Sequence, residues 1–215
     1  MDAHPPRGRF ITLEGPEGAG KTVLGQRLAT ELERRGQPVV LTREPGGTRL
    51  GEQLRALLLD GEGRIDARAD AFLFNAARAQ LVSEILRPAL AAGRVVVCAR
   101  FADSTLAYQG FGEGLPLGEL QRLADVATGG LVPDLTILLD LDPEVGLRRK
   151  LAGEQTRFEA SFDLAFHRRV RAGFLDLAAR DPERFRVVDA SRDVDAVFAD
   201  VLAVVQESLE PAPTR

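Results

Sequence analysis

The chain has no tryptophan, one cysteine, one methionine and one tyrosine. Its 28 basic residues include only two lysines, Lys21 and Lys150. A lone cysteine, Cys98, excludes an intramolecular disulfide framework and fits a reducing compartment. No apolar run approaches the ~18 residues of a membrane-spanning helix. The N-terminal MDAHPPRGR lacks the apolar core of a signal peptide and reads as a short loose tail. A formal charge of −4 gives no general attraction to nucleic acid. These absences make an intracellular, soluble, cytoplasmic protein the expectation. The scarcity of lysine reads first as biased codon composition, yet it makes Lys21 conspicuous.

What is present is enough for one sizeable core: 215 residues, 45% of them hydrophobic. Short apolar, β-branched runs predict strands at Phe10–Glu14, Pro38–Thr42, Arg94–Cys98, Leu135–Leu141 and Phe185–Asp189. Helical patterns cover Lys21–Arg35, Arg49–Leu59, Ala69–Ala92, Leu117–Thr128, Pro143–Leu151, Phe162–Ala179 and Val194–Leu209. This alternation argues for an α/β fold with a parallel sheet and helices on both faces. The run VVVCA has no polar alternation, as expected of a strand covered on both sides. REPGGTRLG (Arg43–Gly51) and RRKLAGEQTRFE (Arg148–Glu159) break the pattern. In open α/β sheets ligands sit outside the carboxyl ends of the strands, so the loops after strands are where chemistry is sought.

Gly15 to Thr22, GPEGAGKT, matches the phosphate-binding pattern G-x-x-x-x-G-K-[ST] in full, between a predicted strand and a predicted helix. Its glycines let backbone N–H groups point at phosphate oxygens, and the following helix N-terminus adds partial positive charge. Gly15, Pro16, Gly18, Ala19 and Gly20 form the cradle. Lys21 reaches the β- and γ-phosphates, and Thr22 offers its hydroxyl to Mg²⁺. Glu17 is an acid inside an anion-binding loop, so a cation, Mg²⁺ or an arginine, should compensate it.

A phosphate loop alone does not separate kinase, hydrolase and switch; a kinase also holds an acceptor. Phe74 and Arg78 are four apart, on one helical face. Together they can stack on a base and bond its polar edge. Spacing alone favours the other reading, with Phe74 in the core and Arg78 as a surface charge. Arg100 falls just past the third strand, with Ser104, Thr105, Tyr108 and Gln109 close behind; an ordinary strand-to-helix loop would look the same. Arg148, Arg149, Lys150 and Arg157 bring cations together. They read either as a solvated loop or as a lid that closes over a phosphoryl group and expels water.

The stretches EGPEGAGKT, TREPGGT, LRALLLD, LFNAARAQL, ARFADSTLAYQG, VPDLTILLDLDPEVGLRR, RFE and VVDAS occur in an order that resembles bacterial thymidylate kinases over about residues 8 to 205. The resemblance implies a P-loop fold with a five-stranded parallel sheet in the order 2-3-1-4-5. It implies one kinase domain over 1–215, with a flexible tail at 1–8, a lid at 148–159 and a frayed end at 210–215. The implied reaction moves the γ-phosphoryl of ATP, with Mg²⁺, onto dTMP. Phe74 would then stack on thymine and Arg78 bond the base. Arg100 would grip the dTMP phosphate, Tyr108 and Gln109 line the sugar side, and Glu44 and Pro45 form the loop by the acceptor phosphate. Glu17 would lie near the metal and the sugar. With no arginine in the phosphate loop, the lid would supply catalytic arginines, Arg149 first and Arg157 second. Arg192, with Ala190 and Ser191, would lie near the donor's adenine, and the protein would be a homodimer.

Two features depart from the pattern. Ala99 stands where the family has an aspartate before Arg100, which leaves Mg²⁺ to Glu17, Thr22, phosphate oxygens and water. The lid is about one residue short, with Leu151 and Ala152 where arginines could stand. The competing readings are a kinase for another nucleoside monophosphate, a nucleotide-binding regulator without catalysis, and a P-loop ligase or hydrolase.

Overall fold

The strand β1 (Phe10–Glu14) is buried along its whole length, which requires cover on both faces of its sheet. The computed structural model, which describes residues 7–59, 65–151 and 162–209, supplies that cover. β1 lies at the centre of a parallel sheet with β2 (Val39–Arg43), β3 (Val95–Ala99), β4 (Leu135–Asp140) and β5 (Phe185–Asp189). The order is β2-β3-β1-β4-β5, as the resemblance implies. The helices are α1 (Lys21–Arg34), α2 (Arg49–Leu59), α3 (Ala67–Leu81), α4 (Arg87–Ala91) and α5 (Ala102–Thr105). They continue with α6 (Leu117–Thr128), α7 (Pro143–Leu151), α8 (Leu164–Arg180) and α9 (Val194–Leu209). Among the described residues no helix is long and apolar enough to cross a membrane.

Alternation along the strands divides the core in two. On one face Ile11, Leu13, Val97, Ile137 and Leu139 pack against Leu24, Leu28 and Leu32 of α1 and Val197, Val201 and Val205 of α9. Each such leucine contributes about 2–3 kcal/mol by leaving water. On the other, Phe10, Val96 and Cys98 meet Leu81, Val82, Leu86 and Phe101, while Leu138 meets Phe166, Val170 and Phe174 of α8. The chain leaves β1 toward one sheet edge for β2 and β3 and toward the other for β4 and β5. The carboxyl end of β1 is therefore where the loops part and a crevice opens.

The structure corrects several sequence boundaries. The helix expected over Ala69–Ala92 is α3 and α4 joined by a π-helical turn at Val82–Leu86, directly before Arg87-Pro88. Pro88 has no N–H to donate and crowds the preceding turn, and the wider turn absorbs the mismatch. The stretch after β3, which carried no helical expectation, is helical from Ala102 on: α5 runs into a second π-helical segment, Leu106–Gly112. Its glycines conceal it in a propensity reading. They are there for packing: a Cβ on Gly112 would press on Phe166, and one on Gly110 on Leu117. β2 and β3 each begin and end one residue later than expected, so Arg43 and Ala99 form the last pair of their ladder. Gly8, expected in a loose tail, is held: it is buried and its N–H donates to Leu90 O at 2.8 Å. The rest of the expected tail apart from Arg7, most of the expected lid with Arg157, and the expected frayed end lie outside the described residues.

Candidate active site

The phosphate loop turns sharply out of β1. Gly15, Gly18 and Gly20 have φ of 139°, 70° and 90°, which side chains other than glycine rarely adopt. A Cβ on Gly18 would also strike the backbone of Gly146, so the loop is seated on α7. Gly20 caps α1 with no side-chain hydrogen bond, and no acid stands in the first turn. The helix therefore presents its N-terminal dipole unopposed. Lys21 is buried and curls back over the loop, its Nζ donating to Gly15 O (2.8 Å) and Pro16 O (2.7 Å). Burial, then the nearby Arg100, pushes its ammonium well below the ordinary lysine range, against the pull of Glu17 and Glu14.

Arg100 begins the opposite wall. Its φ of 70° is the one left-handed value found at a non-glycine residue among the described residues. Such a conformation costs about 1–3 kcal/mol and persists only where surroundings impose it. Its Nη2 donates to Glu17 Oε1 (2.8 Å) and to the Tyr108 hydroxyl (3.1 Å), and its Nη1 to Ser104 Oγ (3.2 Å) and Gly15 O (3.3 Å). The Tyr108 hydroxyl in turn donates to Glu17 Oε1 at 2.8 Å. The acid expected to need a cation has one. Burial works against the Glu17 charge, but Arg100 and Lys21 outweigh it and hold the carboxyl at about 2.

Arg78 is not the surface charge that spacing favoured; it is 1% exposed. Its Nε donates to Glu44 Oε2 (2.9 Å), its Nη1 to Asn75 Oδ1 (2.8 Å), and its Nη2 to Phe101 O and Thr105 Oγ1 (both 3.1 Å). One guanidinium thus ties α3 to the loop after β2 and to the helical segment after β3, and leaves one Nη1 proton to spare. Burial pushes the Glu44 carboxyl up to about 7 against the pull of Arg78. Two buried polar atoms, Glu44 Oε1 and Gln109 Nε2, have no hydrogen-bond partner among the described residues.

These groups line one cleft of about 390 Å³, within the range of small-molecule sites. It brings together Glu17, Gly18, Ala19, Gly20, Lys21, Thr22, Glu44, Pro45, Phe74, Arg78, Arg100, Ser104, Thr105, Tyr108, Gln109 and Arg149 from the sequence expectations. Gly15 and Pro16 meet it through their carbonyls. Arg149 reaches the loop from α7, donating to Gly18 O (3.4 Å) and Ala190 O (3.2 Å). Arg192 is not brought in: it is paired with Asp200 on an exposed flank beside β5 and α9. Sequence reasoning gave no role to Glu14, Arg43, Arg55, Asn75 or Phe101. Asn75 had a signal, standing one turn before Arg78; Arg55, which donates to Pro45 O at 2.9 Å, had none beyond a helical repeat.

Among the described residues the wall carries Lys21, Arg43, Arg55, Arg78, Arg100, Arg149 and Lys150 against only Glu17 and Glu44. In a chain of net charge −4, that concentration selects an anion with several charges. Among the described residues no group of three or more His, Cys, Asp or Glu could hold a metal ion alone. Any cation here fits as one carried by phosphate oxygens, with Thr22 and the Glu17 carboxylate as the available side chains.

The family model for thymidylate kinase matches residues 13–201. A thymidylate kinase of Deinococcus radiodurans is 53% identical over 202 residues, covering 94% of this chain and 98% of that protein. One of Solidesulfovibrio magneticus is 52% identical over 209 residues, covering 93% of this chain and all of the relative. The crystal structure of thymidylate kinase from Ehrlichia chaffeensis superposes with a TM-score of 0.76 at 35% identity, covering 94% of this chain and all of the other. The agreement runs through both walls of the cleft and the sheet beneath them, and the chain belongs to the thymidylate kinase family.

Proposed function

We propose that the protein transfers the γ-phosphoryl group of ATP to the phosphate of dTMP, giving ADP and dTDP. One observation carries the reading best: Lys21 and Arg100, from opposite walls, both donate to the carbonyl of Gly15 (2.8 and 3.3 Å). Two phosphate-binding side chains from opposite walls converging on one atom mark the point where a donor and an acceptor phosphate can be brought together.

The loop from Gly15 to Gly20 and the head of α1 hold the donor's phosphates, and Lys21 leaves its carbonyls for the β- and γ-oxygens. Mg²⁺, with Thr22 and Glu17 at hand, would neutralise phosphate charge when bound. Phe74 stacks on the base, and Arg78 and Thr105 hold its edge. Gln109 Nε2 is an unspent donor for the nucleotide, and Tyr108, Ser104, Glu44 and Pro45 complete the acceptor wall. Arg100 grips the acceptor phosphate. A bond forms from an acceptor phosphate oxygen to Pγ as the bond from Pγ to the bridging oxygen of ADP breaks. No general base is required, because a nucleotide monophosphate is already largely dianionic at neutral pH. Arg149, and Arg157 beyond the described residues, would close on the moving group; positioning and charge do most of this work.

The acting form is proposed as a cytoplasmic homodimer. The dimer, though not the compartment, is supported by apolar surface left on three helices packed in succession, with Leu57 of α2, Phe72 of α3 and Val126 of α6 exposed. Purified protein supplied with ATP, Mg²⁺ and in turn dTMP, dUMP, dCMP, AMP and GMP should form ADP fastest with dTMP. Preference for another acceptor would move the substrate assignment. Because Ala99 rather than an acid lines the cleft, nucleotide binding without ADP formation is the outcome that would replace a kinase by a regulator.

A further inference from the structure

Glu14 closes β1 with a side chain that is wholly buried, under the helical segment rather than in the cleft. Its Oε1 accepts from the Phe101 N–H and its Oε2 from the Ser104 hydroxyl, both at 2.6 Å. Arg100 N–H is tied to Leu13 O at 2.9 Å and Phe101 N–H to Glu14, so the peptide units flanking Arg100 are both pinned to the end of β1. Between them Arg100 takes its left-handed φ. The second contact goes further: Ser104 Oγ donates to Glu14 and accepts from Arg100 Nη1 at 3.2 Å, a relay from carboxylate to hydroxyl to guanidinium.

Burying an acid at this point is costly for folding. Desolvation and the neighbouring Asp103 push its carboxyl up, and Ser104, Arg100 and the Phe101 N–H pull it back. An apolar residue would pack against the same helix without that penalty. It would leave Phe101 N–H without its acceptor and Ser104 free to turn.

We propose that Glu14 is a positioning residue for the acceptor subsite: its carboxylate clamps Phe101 and Ser104, holds Arg100 in its left-handed backbone, and aims the guanidinium across the cleft at the acceptor phosphate. This rests on reading Arg100 as the group that grips that phosphate. A cycle of Glu14→Gln, Arg100→Ala and the double variant tests it, with KM for dTMP, KM for ATP, kcat and the thermal midpoint measured on each full-length protein. Glu14→Gln keeps the shape but cannot accept at both positions. It should raise KM for dTMP about tenfold, the scale of one lost charge-assisted hydrogen bond, and leave KM for ATP within about twofold. In the Arg100→Ala background the same change should have no further effect on KM for dTMP. Equal effects on both substrates, or an undiminished effect without Arg100, would make Glu14 purely structural and overturn the proposal. If Arg100→Ala alone leaves KM for dTMP unchanged, the reading of Arg100 fails and takes the proposal with it. If Arg100→Ala raises that KM and Glu14→Gln does not, only the proposal fails. Should Glu14→Gln not fold, Glu14→Asp, which keeps the charge and loses reach, carries the same cycle with the same expected sign.

Discussion

The two walls of the cleft are assembled differently. The donor wall is one continuous stretch, Gly15 to Thr22, held by backbone geometry and by Lys21 folding onto its own loop. The acceptor wall is drawn from the loop after β2, from α3 and from the helical segment after β3, and Arg78 binds all three. A local motif can be inspected residue by residue. A wall assembled across 23 to 34 residues of sequence separation exists only once the chain has folded. Damage should accordingly differ: on the donor side it should fall on turnover, on the acceptor side on affinity or on stability.

The largest expected effect is at Lys21. Lys21→Ala should lower kcat by about 10²–10³ or more, as loss of a preorganised charge does, with the melting temperature nearly unchanged. Near-normal turnover would erase the distinction between the walls. Arg78→Ala should show the opposite profile. It strands Glu44 in a buried pair whose side chains are 1% and 3% exposed, at a cost of about 3–5 kcal/mol read by denaturant unfolding. A stable protein with only a KM defect would mean that Arg78 holds the ligand without also tying the wall together. Phe74→Ala should raise KM for dTMP by about ten- to a hundredfold, from the lost stacking and apolar contact, with KM for ATP little changed.

The smallest signal is a proton. Burial and Arg100 hold Lys21 below its ordinary range in the open cleft. A polyphosphate beside it favours the charged form and raises that value. ATP binding at about pH 8 should therefore take up protons, measurable as a dependence of calorimetric heat on buffer ionisation enthalpy. The uptake should vanish in Lys21→Arg, whose guanidinium is charged throughout. An absence of uptake would show that Lys21 is already charged before ATP arrives, and uptake that survives in that variant would assign the proton to another group.

Much of this was legible beforehand because it is local. Continuous apolar runs with β-branched residues mark buried strands, a glycine-rich turn before a lysine marks a phosphate loop, and both depend on neighbours in sequence. The segment Ala102 to Gly112 was not legible as helix. Its glycines weaken the local preference, and the reason for them, the close approach of Phe166 and Leu117, is contributed from elsewhere in the chain. Arg192 is a candidate only through the resemblance, and in the structure it pairs with Asp200 outside the cleft.

By itself the sequence determined the strand order's raw material, the phosphate cradle and the candidates for an acceptor pocket, since steric limits and hydrophobic period act over a few residues. Only the tertiary structure decided that Arg78 is a buried tie rather than a surface charge. It alone decided that Glu17 is neutralised by Arg100 and that Glu14 holds the backbone on which Arg100 stands. Those outcomes depend on which charges share a low-dielectric interior, and distance through space, not along the chain, sets that.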